Sequence, residues 1–550
     1  MSSHGLMRAL GMLPARAQTA LACSTRLRRA FAGSRTRLAV TCLGAQRGEV
    51  VPPWMCGTRC CWRKMSDLLG WSVRRVERYS LVVLHVPNRF RFVDLFAGIG
   101  GFHHALGGLG GRCVMACELD PECRSVYRAS FPKLPAKAMV ENIRSLTRGD
   151  VEDERSALST AAIARRVPDH DVLCGGFPCQ PFSKSGAQQG VRDRTRGTLF
   201  FDILEILRAK HPRFVVLENV RNLCGPRHRD TWRTIIESLR EVGYRVSSEP
   251  VVLSPHLIPP ELGGAPQVRD RVFILGEYVG RGKQRGVVSP PLLTRRSFPD
   301  WNPDRWSIRD LLDPDVDTPY VGQYRVSDDE RMWLDAWDSF VREIQAESLP
   351  GFPIWVSAFR ARPKVRDDMP DWERAFLVKN SKFYVEQRAV IDRWLKRTWG
   401  SDGATVLDFP PSRQMFEWQA RRRHPLRQGR TLRDLVIQMR PSGIRVRPPT
   451  YLPALVAINQ TSIIGPDVAG LKDFRKLTPR EAARLQGIPV GVFSAAGVPD
   501  RAAYKQLGNA VNVGVAALAA RTLFQSARPD TVEDHPEVVG SLFSSLLTTS

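Results

Sequence analysis

Between Arg91 and Gly276, short apolar runs alternate with stretches of helical spacing. The run RFVDLF at 91–96 reads as a strand and passes through AGIGGF into a helix. A second run, 113–117, ends at Glu118. Further strands are expected at 172–174, 214–217 and 272–275, with helices over 199–210 and 230–241. Strand–helix alternation of this kind predicts an α/β fold built on a Rossmann-like, doubly wound parallel sheet. Such sheets keep their chemistry at the carboxyl ends of the strands.

After Gly276 the rhythm is lost. Residues 277–475 hold nine of the thirteen tryptophans and many prolines, and a second, smaller domain is expected there. Most of those tryptophans are expected to build its core. Order returns at Thr478-Pro479-Arg480-Glu481, a capping box with proline at the first helical position. A last apolar helix is expected from about 509 to 524, within a block 476–525, followed by a polar tail over 526–550. Residues 1–90 stand apart, with fifteen Lys/Arg against Glu49, Asp67 and Glu77, and five of the eleven cysteines. That composition is similar to a transit peptide. The plainer reading is an over-long translation start, with Met65 or a later codon authentic and 1–64 disordered and dispensable.

Composition adds a partner class. The 550 residues carry a net charge of +25, with a pI near 10.1, which points to a polyanion such as nucleic acid. The cysteines lack disulfide or metal-ligand spacing, and Cys56, Cys60 and Cys61 have no second pair, so no metal is expected. No apolar run reaches the ~20 residues of a membrane span, and a reducing cytosol is the simplest setting.

Four segments carry candidate chemistry. GGFPCQPFS at 175–183 sets Cys179 in a Gly/Pro-framed turn after an apolar strand, where a thiol reads as a nucleophile rather than as core filling. DLFAGIGGF at 94–102 is a strand, a Gly-rich turn and a helix. Gly98 and Gly100 let the backbone approach a nucleoside-bearing ligand, and Glu118 ends the next strand where an acid meets ribose hydroxyls. The spacing suits a dinucleotide or S-adenosylmethionine, and the missing third glycine of the dinucleotide fingerprint favours the methyl donor. Glu218 closes an apolar strand, where partial desolvation raises a carboxyl pKa toward proton donation; a helix N-cap is its plainer reading. Arg269 and Arg271 in QVRDR are placed to hold a carbonyl oxygen, a phosphate or that acid.

Together with RLQGIP at 484–489 and YKQLGNAV at 504–511, these blocks resemble, in order, the signature blocks of the DNA (cytosine-5) methyltransferases of bacterial restriction–modification systems. The resemblance covers about 91–276 and 476–525, making these the two parts of one catalytic, S-adenosylmethionine-binding domain. It implies a Cys179 adduct to cytosine C6, Glu218 at N3, Arg271 at the cytosine carbonyl, and Arg269 supporting the loop or a phosphate. It also implies a cofactor pocket of Asp94, Phe96, Gly98, Gly100, Glu118, Asn142, Asn509 and Val511, with Phe96 facing the adenine and Glu118 the ribose. One position departs from the pattern: Asn142 stands where the family usually has aspartate, keeping an acceptor oxygen but losing charge.

Further implications concern DNA. The target base must flip out of duplex DNA. Ser185, in the loop after the nucleophile, would enter the gap, with Arg196 beyond it. Residues 277–475 take the position of the target-recognition region, and Arg421, Arg422, Arg423 and Arg445 in its basic segment are candidate DNA contacts. A monomer in the bacterial cytoplasm is expected. A cognate restriction endonuclease would act on the same site without a stable complex. The related branch that methylates transfer RNA usually has a compact recognition region, unlike the nearly 200 residues here. A catalytically dead binding module would have lost Cys179 or Glu218. A hydride-transferring dinucleotide enzyme leaves both of those blocks unexplained.

Overall fold

A computed structural model describes residues 89–527 except 154–155, 179–198, 281, 283–290, 314–318, 345–348, 421–429, 456–460 and 471. The expectations for 1–64 and for the polar tail therefore lie outside the described residues. Strand β1 (Phe90–Leu95) is buried along nearly its whole length, as a central parallel strand must be. It lies between β2 (Gly111–Cys117) and β4 (Val172–Gly176); β3 (Met139–Val140) flanks β2, and β5 (Phe214–Val220) flanks β4, all parallel. Beyond β5 the sheet continues through β9 (Arg271–Tyr278) to β6 (Tyr244–Val246), with β7 (Val251–Leu253) also on β9. The strand expected at 272–275 is present but antiparallel to β5. Its physical reason is the connection: no α-helix lies between β7 and β9, and a parallel return needs a crossover.

Helices cover both faces. Helices α1 (Gly101–Gly108), α2 (Pro121–Ser130), α3 (Thr160–Arg166), α4 (Leu199–Lys210) and α5 (Arg229–Val242) follow in chain order. On one face, α4 and α5 pack against Val93, Leu95, Leu173, Val215 and Leu217. On the other, α1 and a C-terminal helix pack against Phe92, Val172, Phe214 and Val216. The chain thus leaves this sheet after β9 and returns at its end to finish it.

The intervening segment builds its own core. Helices α6 (Asp328–Glu343), α7 (Asp371–Glu386) and α8 (Arg388–Leu395) pack on a sheet ordered β10 (Ile354–Trp355), β11 (Met415–Trp418), β13 (Gly443–Arg447), β12 (Val436–Arg440), β15 (Ile463–Ile464) and β16 (Arg475–Lys476). Trp337 and Trp394 are fully buried there, and Trp337 stacks on Phe416 at 4.6 Å between ring centroids. Trp372, by contrast, is 60% exposed. The link back to the first sheet is β14 (Leu452–Pro453), which pairs in parallel with β8 (Gln267–Val268).

The predicted capping box forms: Thr478 accepts from the Glu481 amide, and helix α9 runs Pro479–Gln486. The helix expected from about 509 to 524 is α11 (Val513–Ser526), capped by Asn512, and a further helix, α10 (Asp500–Asn509), precedes it. By length and composition Asp500–Ser526 is apolar enough to cross a membrane, contrary to expectation. The break at 510–512 separates its two helices, and 61% of its apolar window is buried inside the protein.

Candidate active site

The turn after β1 is shaped by backbone conformations that few residues adopt. Phe96 and Gly98 both have φ near 53°, and Gly100, with φ of 90°, caps α1. A Cβ on Gly98 would meet nothing within 4 Å, so the turn opens onto free space. Glu118 braces this turn, accepting from the Gly98 amide at 2.7 Å and from the Asp120 amide at 2.8 Å. A carboxylate has about four acceptor positions, which leaves capacity for a further donor. Leu119 beside it is 68% exposed.

Beneath the turn lies a buried polar network. Asp94 is fully buried, and burial pushes its carboxyl well above the usual range. The Tyr127 hydroxyl donates to it at 3.4 Å and lies 2.7 Å from His103 Nδ1. Burial lowers His103 to about 3, so its ring is neutral, and it stacks on Phe131 at 3.5 Å. Asp94 therefore supports the turn from below rather than facing the opening. Asn142 is half-buried, and its side-chain oxygen accepts from the Arg144 amide at 3.0 Å.

The acid and the arginine expected together are together. Glu218 is 7% exposed near the end of β5, and Arg271 Nε lies 3.0 Å from its Oε1. Burial raises the Glu218 pKa; the charges of Arg271 and then Arg269 oppose it. Across the sheet Glu218 pairs in register with Gly176. A Cβ on Gly176 would lie 3.3 Å from Val511, a tight approach, and 3.5 Å from Glu218 Oε2, an ordinary contact, so glycine eases the packing of Val511 beside the carboxylate. Asn219, which sequence reasoning treated only as part of its motif, donates to the Phe177 carbonyl at 2.9 Å. It thereby ties β5 to the chain two residues before Cys179.

Val511 joins the two halves of the site. It meets Gly176, and a Cβ on Gly101 would fall 2.5 Å from its carbonyl oxygen. Asn509 is exposed at the end of α10.

Of the partners open to Arg269, the structure shows carbonyl oxygens of the protein itself. Its side chain is 2% exposed and donates to the carbonyls of Leu455, Gly508 and Ala510 at 3.3, 2.9 and 2.7 Å. The last two flank Asn509. Arg269 is thus a positioning residue that clasps the C-terminal block to the sheet. Its own amide donates to Ser254 Oγ at 3.0 Å, a partner with no signal in the sequence. Arg269→Ala is expected to lose on the order of 3 kcal/mol of stability, because three buried carbonyls lose their donor. Arg269→Lys should recover only part, since an ammonium lacks the guanidinium fork. Urea denaturation measures both, and a loss under about 0.5 kcal/mol for alanine would contradict the clasp.

Cys179, Ser185, Arg196, Arg421, Arg422 and Arg423 lie outside the described residues. Arg445 lies on β13, 2.8 Å from Glu417. Among the described residues, no group of three or more His, Cys, Asp or Glu is placed to hold a metal ion.

Comparison with known proteins places this site in context. The family described as C-5 cytosine-specific DNA methylase matches residues 90–525. The chain is 39% identical to the type II methyltransferase M.AluI of Cellulosimicrobium cellulans, over 78% of this chain and 90% of that protein. It is 33% identical to the DNA-cytosine methyltransferase of Escherichia coli K12, over 43% of this chain and 51% of that one. It is 38% identical to the type II methyltransferase M.HpaII of Haemophilus parainfluenzae, over 39% of this chain and 54% of that one.

Proposed function

The chain belongs to the C-5 cytosine-specific DNA methylase family, and on that premise we propose how its own residues methylate C5 of cytosine in DNA. The reading rests chiefly on one observation: buried Glu218, paired with Arg271, lies in register beside Gly176, three residues before Cys179.

Cytosine C5 is too weak a nucleophile to take a methyl group unaided. Cys179 thiolate forms a bond to C6 while Glu218 gives a proton to N3, and the displaced electron pair makes an enamine with its nucleophilic carbon at C5. Arg271 holds the cytosine carbonyl and keeps Glu218 oriented. Once C5 carries the methyl group, a base removes the C5 proton, the S–C6 bond breaks, and Cys179 leaves as thiolate. The N3 proton returns to Glu218. A free thiol is only a few per cent ionised at pH 7, so the site must also favour the thiolate.

S-adenosylmethionine is the donor that the family implies, and the residues present fit it. The opening above Gly98, the remaining acceptor capacity of Glu118, and the exposed apolar Leu119 suit a nucleoside with a free ribose diol. Phe96, Gly98, Gly100, Glu118, Asn142, Asn509 and Val511 would line its place, with Asp94 beneath. When bound, it supplies an electrophilic methyl group on a sulfonium sulfur.

The target cytosine flips out of the duplex, since N3 and C6 are otherwise enclosed by pairing and stacking. We assign the chain a protective role in a restriction–modification system, as a cytoplasmic monomer sharing its site with an endonuclease. The type II names of its relatives support the protective role, and its charge of +25 suits DNA as the partner. Bisulfite sequencing of plasmid DNA from cells expressing the chain tests the function. Protected cytosines confined to one short sequence context are expected. Full conversion, with the protein present and folded, would refute it.

A further inference from the structure

One face of the second sheet is polar over β11, β13 and the far part of β12, while toward Val436 and Ile464 the same face packs into an apolar core with Leu477 and Leu485. Along β11, β13 and β12, residues Phe416, Trp418, Ile444, Val446, Ile437 and Met439 point into the core. The period of two sends the alternate positions to the opposite face. There Glu417, Arg445 and Gln438 stand side by side, in register across three neighbouring strands.

These groups form a connected set. Arg445 pairs with Glu417 at 2.8 Å; Gln419, one position past β11, donates to Glu417; and Arg447 Nε donates to Gln419 at 2.7 Å. Among the described residues Arg440 and Gln438 have no side-chain hydrogen-bond partner, although Gln438 is only 8% exposed and its Oε1 is buried. A buried, unpaired amide oxygen is costly unless a partner arrives from outside.

Charge points the same way. Arg440, Arg445 and Arg447 share this face with the single acid Glu417. The pKa values of Arg440 and Arg447 are lowered by burial and then by neighbouring arginines. Like charges gathered on a half-buried surface favour an anionic partner. The face also leads to the catalytic site. The ring of Tyr451, four residues after Arg447, packs 5.0 Å from that of His256. The next strand, β14, pairs with β8, which runs directly into Arg269 and Arg271.

Resting on the DNA-methylating function proposed above, the geometry points to this face as the surface that reads the target sequence, with Arg445 contacting a guanine edge in the major groove and Gln438 reading an adjacent base pair. Arginine is matched to guanine O6 and N7, and glutamine to adenine N6 and N7. Glu417 holds the Arg445 fork in place and Gln419 holds that of Arg447, so these long side chains lose less freedom on binding. Arg440 and Arg447 flank the row toward the phosphates.

The test uses the full chain with a random-sequence duplex library and bisulfite sequencing of the product. Wild type, Arg445→Ala, Arg445→Lys and Gln438→Met are compared, with thermal midpoint and S-adenosylmethionine binding measured alongside. Wild type is expected to require guanine at one position. Arg445→Ala should relax that requirement at least about tenfold while leaving other positions unchanged, and lysine should fall between. Gln438→Met removes an unpaired buried amide, so it should keep its thermal midpoint while changing discrimination at one neighbouring position. A wild type that methylates no cytosine overturns the functional reading and this inference with it. An active wild type whose motif survives intact in both the Arg445→Ala and Gln438→Met variants overturns this inference alone.

Discussion

Serine in place of Cys179 is expected to lower methyl transfer to duplex DNA by at least about a thousandfold, with duplex binding kept within about threefold of wild type. Oxygen is nearly isosteric with sulfur, so shape changes little. What is lost is acidity: a serine hydroxyl is essentially un-ionised near neutral pH. Only a covalent role predicts so large a loss. A cysteine that merely filled space would tolerate serine with a modest effect on stability and little on rate. Single-turnover transfer of a labelled methyl group, together with a filter-binding isotherm, separates the two.

Glu218→Gln comes second, with an expected fall in kcat/KM of roughly a hundred- to ten-thousandfold, the range of a positioned proton donor. Glutamine keeps the shape beside Gly176 and can still accept from Arg271, but it cannot release a proton to N3. S-adenosylmethionine binding should be unchanged, because Glu118 and the Gly-rich turn are separate from this pair. A second readout follows from burial, which raises the folded-state pKa of Glu218 despite Arg271 and Arg269. A carboxyl raised on folding favours the native state fully below its unfolded pKa and loses that contribution as pH rises through the folded value. The stability of Glu218→Gln relative to wild type should therefore increase between pH 4 and pH 8. A difference that is flat, or that falls with pH, would show that Arg271 outweighs burial.

Much of the catalytic half was legible because its chemistry depends on local chain shape. DLFAGIGGF encodes a turn through residues that tolerate positive φ, although the positive φ of Phe96 itself has no sequence signal. A meeting of Glu218 with an arginine of QVRDR was legible only as one of three options, because strand ends meet at one edge of the sheet but several partners fit there. The direction of β9 was not legible, since two three-residue strands ahead of it leave almost no periodicity. Arg269 shows a different limit. Whether a guanidinium faces solvent or clasps carbonyls more than 180 residues away is a property of packing. The recognition segment was opaque for the same reason: its strands are two to five residues long, and its order comes from a core of Trp337, Trp394 and Phe416. Glu417, Gln438 and Arg445 are scattered in sequence and meet only through strand register.

The central claim is a transient bond between Cys179 and cytosine C6. A duplex carrying 5-fluorocytosine at the methylated position tests it most directly, because fluorine cannot leave C5 as a proton does and elimination is blocked. In the presence of S-adenosylmethionine, mass spectrometry is expected to find the chain joined to the methylated strand through the peptide containing Cys179. Cys179→Ser should yield no such species. Failure to form the adduct, by an enzyme that methylates the unfluorinated duplex at full rate, would contradict the account.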